Sequence, residues 1–236
     1  PDAIINIVDA TNIERNLYLT LQLMELDVPM IMALNMMDEV RASGNSIDID
    51  KLSEHLGMPI VPIAASKGEG MTELVKMVRE TVTGENKPVN FDFCFGEVHK
   101  AIHAIYHIIE DQAKAADYPW RFAATKLVEG DEPMMEELHL SVNQRHIVDH
   151  VVEEMESNLG TDREAALADM RYSYIEHICS ECVHKQQETR EQVRSEKIDR
   201  LLTHKYLGIP VFLGIMLLIF WLTFDVIGGP LQDLLG

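Results

Sequence analysis

The chain has 236 residues and 47% hydrophobic content, enough to bury a real core and too much for a disordered polymer. Lys and Arg number 20 against 39 Asp and Glu, and the resulting formal charge of −19 repels phosphate backbones and argues against nucleic acid as a partner. Cys94, Cys179 and Cys182 are too few and too unevenly spaced for a disulfide framework and suit a reducing compartment, so the soluble part reads as cytoplasmic.

Pro1 leads at once into the strand-like run Ile4 to Val8, which ends at Asp9. Leu17, Leu21 and Met24 give the stripe of a helix, and Val28 to Leu34 is apolar again, so the opening is β-α-β, the unit of a parallel sheet covered on both faces. A second turn of the pattern follows: a helix from about Ile49 to Leu56, a strand from Ile60 to Ile63 and a helix from Met71 to Val82. Thr83 to Pro88 combines a helix stop with a turn-rich linker. From Phe95 to about Lys205 helices follow one another. Val98, Ile102, Ile105 and Ile109 share one face, Gly130 to Pro133 and Leu159 to Asp162 interrupt the pattern, and Thr161 or Asp162 is placed to cap the helix that begins near Arg163. Tyr206 to Ile227 is apolar apart from Thr223 and Asp225, close to the ~20 residues a helix needs to cross a bilayer. Lys197, Arg200 and Lys205 just ahead of it favour the cytoplasmic side for what precedes. The expected architecture is α/β followed by all-α, ending in one membrane helix. Both ends read as cuts, and an internal piece of a longer protein is expected.

The most informative residues are Asn35-Met36-Met37-Asp38, directly after a strand. Guanine presents two adjacent N–H donors on one edge, and a single carboxylate such as Asp38 accepts both; adenine lacks the pair and would leave the carboxylate unmatched. Asn35 at the strand end can bond the base edge and tie neighbouring loops. A helix N-cap explains the same four residues equally simply. One strand later, Ala64-Ala65-Ser66-Lys67-Gly68-Glu69-Gly70 forms a glycine-bearing loop between strand and helix, where backbone N–H groups can face a ligand.

Asp9-Ala10-Thr11 with Glu14-Arg15-Asn16-Leu17, then Asn35 to Asp38, then the Gly68-Glu69-Gly70 loop, together resemble the G domain of the bacterial ferrous iron transporters of the FeoB family, from just after the switch regions. Trp120 to Asp131 resembles a stretch of that family's helical spacer, and Tyr206-Leu207-Gly208-Ile209-Pro210 through Leu231 resembles the start of its transport domain. The resemblance implies a partial P-loop-GTPase-type parallel sheet over residues 1–83, a linker over 84–93, a GDI-like spacer over 94–205, the first transmembrane helix over 206–228 and the start of the transport domain over 229–236. It places Asn35, Met36, Asp38, Ala64, Ala65 and Ser66 around the guanine base of GTP or GDP, with the Ala65 N–H near the guanine oxygen. Two positions depart from the family pattern. Ala64-Ala65 stands where Ser-Ala is usual, and Met36 replaces a lysine whose flexible apolar stem it can imitate over the base.

The string G-x-x-x-x-G-K-[ST], which cradles phosphates and places Mg²⁺, does not occur in this sequence. Mg²⁺ is therefore expected only in the full-length parent, and this chain alone is expected not to hydrolyse GTP. The implied setting is the bacterial inner membrane, with residues 1–205 in the cytoplasm, ferrous iron as the transported ion, lipid around the last helix, and a homo-oligomer and small accessory Feo proteins as candidate partners. A membrane-anchored regulatory GTPase and a non-catalytic interaction module are the competing readings.

Metal ligands are not assigned from the sequence. On a helix Cys179 and Cys182 fall nearly opposite His177 and His184, so one ion cannot collect all four. His99, His103 and His107 share a face at intervals of four but lack a further ligand, and His146 and His150 read the same way.

Overall fold

The structure, a computed structural model, describes residues 2–84, 93–185 and 208–223. Two compact units make up the chain, 1–185 and 186–236. In the first, β1 (Ile4–Asp9), α1 (Ile13–Met24), β2 (Met30–Asn35), α2 (Met37–Ala42), β3 (Ser46–Ile47), α3 (Ile49–Leu56), β4 (Ile60–Pro62) and α4 (Met71–Gly84) build the α/β part. Helices α5 (Gly96–Ala115), α6 (Trp120–Glu129), α7 (Glu132–Glu137), α8 (Val142–Leu159) and α9 (Arg163–Cys182), with the short β5 (Val183–His184), complete the unit.

β1, β2 and β4 form a parallel sheet in that order, with Ile4 opposite Met30 and Met32 opposite Ile60. β2 is central, and Met30 to Leu34 are all buried because helices cover both of its faces. Ile31 and Ala33 join Val61, Ile63 and Leu74 of α4 on one face. Met30, Met32 and Leu34 face Leu17 and Leu21 of α1 and Leu52 and Leu56 of α3 in a core that continues without a break into the helical part through Ile102, Ile105, Leu127 and Ile178. Asn6 is the polar intruder in β1, and its amide donates to Thr20 Oγ1 at 2.7 Å, which satisfies both buried groups.

Caps explain where the helices begin. The side chains of Asp48, Asp131, Ser141 and Asp162 accept from backbone N–H groups at the starts of α3, α7, α8 and α9, and Ser141 with Gln144 closes a capping box. Asp162 is thus the cap of the helix at Arg163, one of the two candidates the pattern offered. Gly130 ends α6 with φ of 79°.

The α/β and helical parts also meet through charge. Arg171 of α9, with 3% of its side chain exposed, donates to Glu25, which caps the end of α1, and to Glu129 of α6, each at 3.4 Å, and to the Tyr18 hydroxyl at 3.3 Å. Burial pushes the Glu25 carboxyl up to about 7, against the opposing pull of Arg171.

On the face of β1 away from the core, Ile5 and Ile7 are 48% and 66% exposed, and among the described residues nothing pairs with its outer edge. Residues 1–84 alone would lose the cover that α9 gives to α1 and α3 as well. Each fully buried apolar side chain so uncovered forfeits about 1.5 to 3 kcal/mol. That segment is therefore expected to show no sharp thermal transition by circular dichroism, and cooperative melting of it would contradict the continuous core.

In the second unit the described helix is α10 (Gly208–Trp221), whose described apolar side chains are exposed. Its 14 residues span roughly 21 Å. Among the described residues no helix is long and apolar enough to cross a membrane. Tyr206, Leu207 and residues 224–228 of the expected span, Asp225 among them, lie outside the described residues, as do Lys197, Arg200 and Lys205.

Candidate guanine-nucleotide site

The site gathers at the carboxyl ends of β2 and β4, where an open parallel sheet presents its loops. β2 ends at Asn35, and Met36 then takes a left-handed conformation, φ 63°, before α2 begins. That conformation is uncommon for a residue with a side chain and turns the chain sharply, leaving Met36 39% exposed at the loop tip. The second loop is laced to the first. Ile63 N–H donates to Leu34 O at 2.8 Å, Met37 N–H to Ile63 O at 3.2 Å, and Ala65 N–H to Asn35 Oδ1 at 3.1 Å. Asn35 therefore ties the loops as its position suggested. The Ala65 amide assigned to the guanine oxygen is engaged by Asn35 here.

Asp38 lies at the second position of α2, not at its N-cap, which is Met36 without a side-chain capping bond. The capping explanation for Asp38 is thereby set aside. Its carboxylate, 15% exposed, accepts from Lys67 Nζ at 2.7 Å, and this bond holds the Asp38 carboxyl below its usual range. Lys67 was not singled out from the sequence. Its place in the loop was legible, but the reach from that loop back to α2 was not. A second clip joins the same elements, for Arg41 of α2 donates to both oxygens of Glu69 at 2.7 Å.

Ala64 is buried, and its N–H and C=O pair with the backbone of Glu69 at 3.1 and 3.2 Å, closing a tight loop whose tip carries Ala65 and Ser66 exposed. Gly70, φ 77°, leaves no room for a side chain, because a Cβ there would collide with the Pro62 carbonyl oxygen. Gly70→Ala is expected to lower stability by roughly 1 to 3 kcal/mol. Gly68→Ala, at φ 68° but with open space around it, should cost less, and equal melting temperatures for the two variants would contradict this loop packing.

The six residues proposed from the sequence thus stand on two adjoining loops, and the thiol and imidazole groups lie elsewhere. Cys179 and Cys182 are buried while His177 and His184 are exposed, and His107, His146 and His150 are exposed as well. His99 and His103, by contrast, stand beside Cys94, a neighbour the sequence reading did not connect with them.

Residues 1–78 match the family model for Ferrous iron transport protein B, and residues 95–184 match that for the FeoB cytosolic helical domain. Among solved structures, mGMPPNP-bound NFeoB from S. thermophilus is 36% identical with a TM-score of 0.68, over 80% of this chain and 70% of that one. A GDP-bound point mutant of the S. thermophilus FeoB G-domain gives 36% identity and a TM-score of 0.70, over 76% of this chain and 68% of that one. The chain belongs to the FeoB family. The Fe(2+) transporter FeoB of Staphylococcus aureus (strain MSSA476) is 36% identical over 98% of this chain and 34% of its own length, and that of Escherichia coli (strain K12) is 34% identical over 99% and 29%. This chain therefore spans about a third of the length of the FeoB relatives it matches.

Proposed function

We propose that this chain is the cytoplasmic nucleotide-reading and spacer portion of a GTP-binding ferrous iron transporter, leading into its first membrane helix. The observation that carries the reading is the lacing of the Asn35 to Asp38 loop to the Ala64 to Gly70 loop through Asn35 Oδ1 and Ala65 N–H. Two strand-end loops held side by side, one with a carboxylate and the other with backbone amides, match the donor and acceptor pattern of a guanine edge. In this reading Asp38 takes the two guanine N–H donors once Lys67 is displaced, Met36 lies over the ring, and Ala64, Ala65 and Ser66 shape the far side. Solved relatives bound to GDP and to mGMPPNP support it.

Mg²⁺ is assigned to the parent only, since the phosphate-loop string is missing from these 236 residues. The division into 1–83, 84–93, 94–205, 206–228 and 229–236 is supported by the two family matches and by the exposed apolar surface of α10. The reading extends to bacterial inner membrane placement with residues 1–205 in the cytoplasm, lipid around residues 206–228, and an oligomer or small accessory Feo proteins as partners, and the likeness to FeoB relatives supports it. Ferrous iron uptake by cells that depend on the full-length parent tests the whole proposal. Uptake should fall when Asp38 is replaced by Asn, and normal uptake by a variant shown to have lost GTP binding would overturn it.

A further inference from the structure

Three side chains outside the guanine loops meet at the start of the helical part. Cys94 stands two residues ahead of α5, and His99 and His103 follow four apart on its first turns. Cys94 Sγ lies 3.2 Å from His99 Nδ1, and one donor atom from each of the three residues falls within 4.8 Å of the others. The two imidazole rings are 4.2 Å apart between centroids. In a tetrahedral complex, metal–sulfur bonds of about 2.3 Å and metal–nitrogen bonds of about 2.0 Å set the ligand atoms about 3.3 to 3.6 Å apart. The Cys94–His99 distance of 3.2 Å is close to that spacing, and the remaining pairs fall within the 4.8 Å limit.

The surroundings hold the donors in place. Cys94 is 7% exposed, and Arg121, itself 9% exposed, donates from Nη2 to the sulfur at 2.9 Å while lying over the rings of Phe93 and Trp120. A fixed donor against the sulfur is the kind of outer contact that orients a metal-bound sulfur. Trp120 packs 5.4 Å from the His103 ring and steadies it. Cys179 and Cys182 lack such a setting; burial pushes the Cys179 thiol up to about 12 and raises Cys182 too, and the imidazoles near them in sequence are exposed.

The geometry points to a metal site in which Cys94, His99 and His103 hold one divalent transition-metal ion of the zinc or ferrous class. One sulfur and two imidazoles suit such borderline ions and not the oxygen-seeking Mg²⁺ or Ca²⁺, and three protein donors leave the fourth tetrahedral position to water or another ligand. This assignment does not depend on the guanine reading.

Cobalt(II), added anaerobically to the reduced 236-residue chain, is the probe. A single cobalt per chain is expected, with a sulfur-to-cobalt charge-transfer band and the visible bands of tetrahedral cobalt. Cys94→Ser should abolish the charge-transfer band, His99→Gln should weaken cobalt binding by at least about tenfold, and Cys179→Ser with Cys182→Ser should leave both unchanged. Zinc or ferrous iron should bleach the bands by displacement. Absence of the charge-transfer band from the folded chain, its survival in Cys94→Ser, or failure of both metals to bleach it overturns the site. If Cys94→Ser does not keep the parent's circular dichroism, His99→Gln, at a partly exposed position, decides: undiminished cobalt affinity in that variant overturns the site equally.

Discussion

Asp38→Asn in the full-length parent should lower GTP affinity by at least about tenfold and move preference toward XTP. The substitution leaves one carbonyl acceptor and sets an amide N–H₂ against a remaining guanine donor. Xanthine carries an oxygen where guanine carries its amino group, and that oxygen accepts from the new amide. The structure sharpens the expectation in one respect. Lys67 occupies the Asp38 carboxylate at 2.7 Å, so a guanine edge must displace this ammonium before it can bind there. Lys67→Met should therefore not reproduce the switch in preference, although it removes a charge from the same loop. Titrations of GTP and XTP against the parent and both variants provide the check, and an unchanged GTP-to-XTP ratio in Asp38→Asn would remove Asp38 from the site.

Arg171→Met is expected to cost stability because it removes the donors to Glu25, Glu129 and the Tyr18 hydroxyl, by up to about 3 to 5 kcal/mol where the Glu25 carboxyl is ionised, above about pH 7. Denaturant unfolding measures the loss, and adding Glu25→Gln should recover much of it by removing the stranded charge. Glu25 also gives stability a pH dependence of definite sign. Its carboxyl titrates near 7 in the folded chain against an ordinary value of 4.5, so the folded state retains the proton over a range in which the unfolded state has released it. The contribution from this group is fully present below about 4.5 and is lost as pH rises through about 7. Glu25→Gln should flatten that fall. A stability profile identical to the parent's across this window would show that Glu25 does not titrate there.

The apolar run of Ile4 to Val8, the Leu17 and Leu21 stripe, and the apolar runs of β2 and β4 were enough to place the parallel sheet, since helices bury both faces of its central strand β2 and an apolar run reports such burial. Observed ends differ by only one or two residues, as with β2, which begins at Met30 and not Val28 because Pro29 has no N–H to give the ladder. What escaped detection was short or distant. α2 has six residues and β3 two, too few to show a period, and β5 pairs with a strand far away in sequence. At the candidate guanine loops the residue types marked the positions in the sequence, but the Lys67 to Asp38 bond and the Arg41 to Glu69 clip depend on how the two loops come together. Cys94, placed before a helix in a segment with no period of its own, gave no sign of facing His99 and His103.

The pairing of β3 with β5 has a mechanical meaning. Ser46 faces His184, Ile47 faces Val183, and Asp48 N–H donates to Cys182 O at 2.8 Å, so the chain leaving α9 is pinned to the segment that follows α2. A pull on the backbone beyond Lys185 loads this two-residue ladder first. From there the covalent path runs back through Ser46 and α2 to the turn at Met36, where the candidate guanine loop begins.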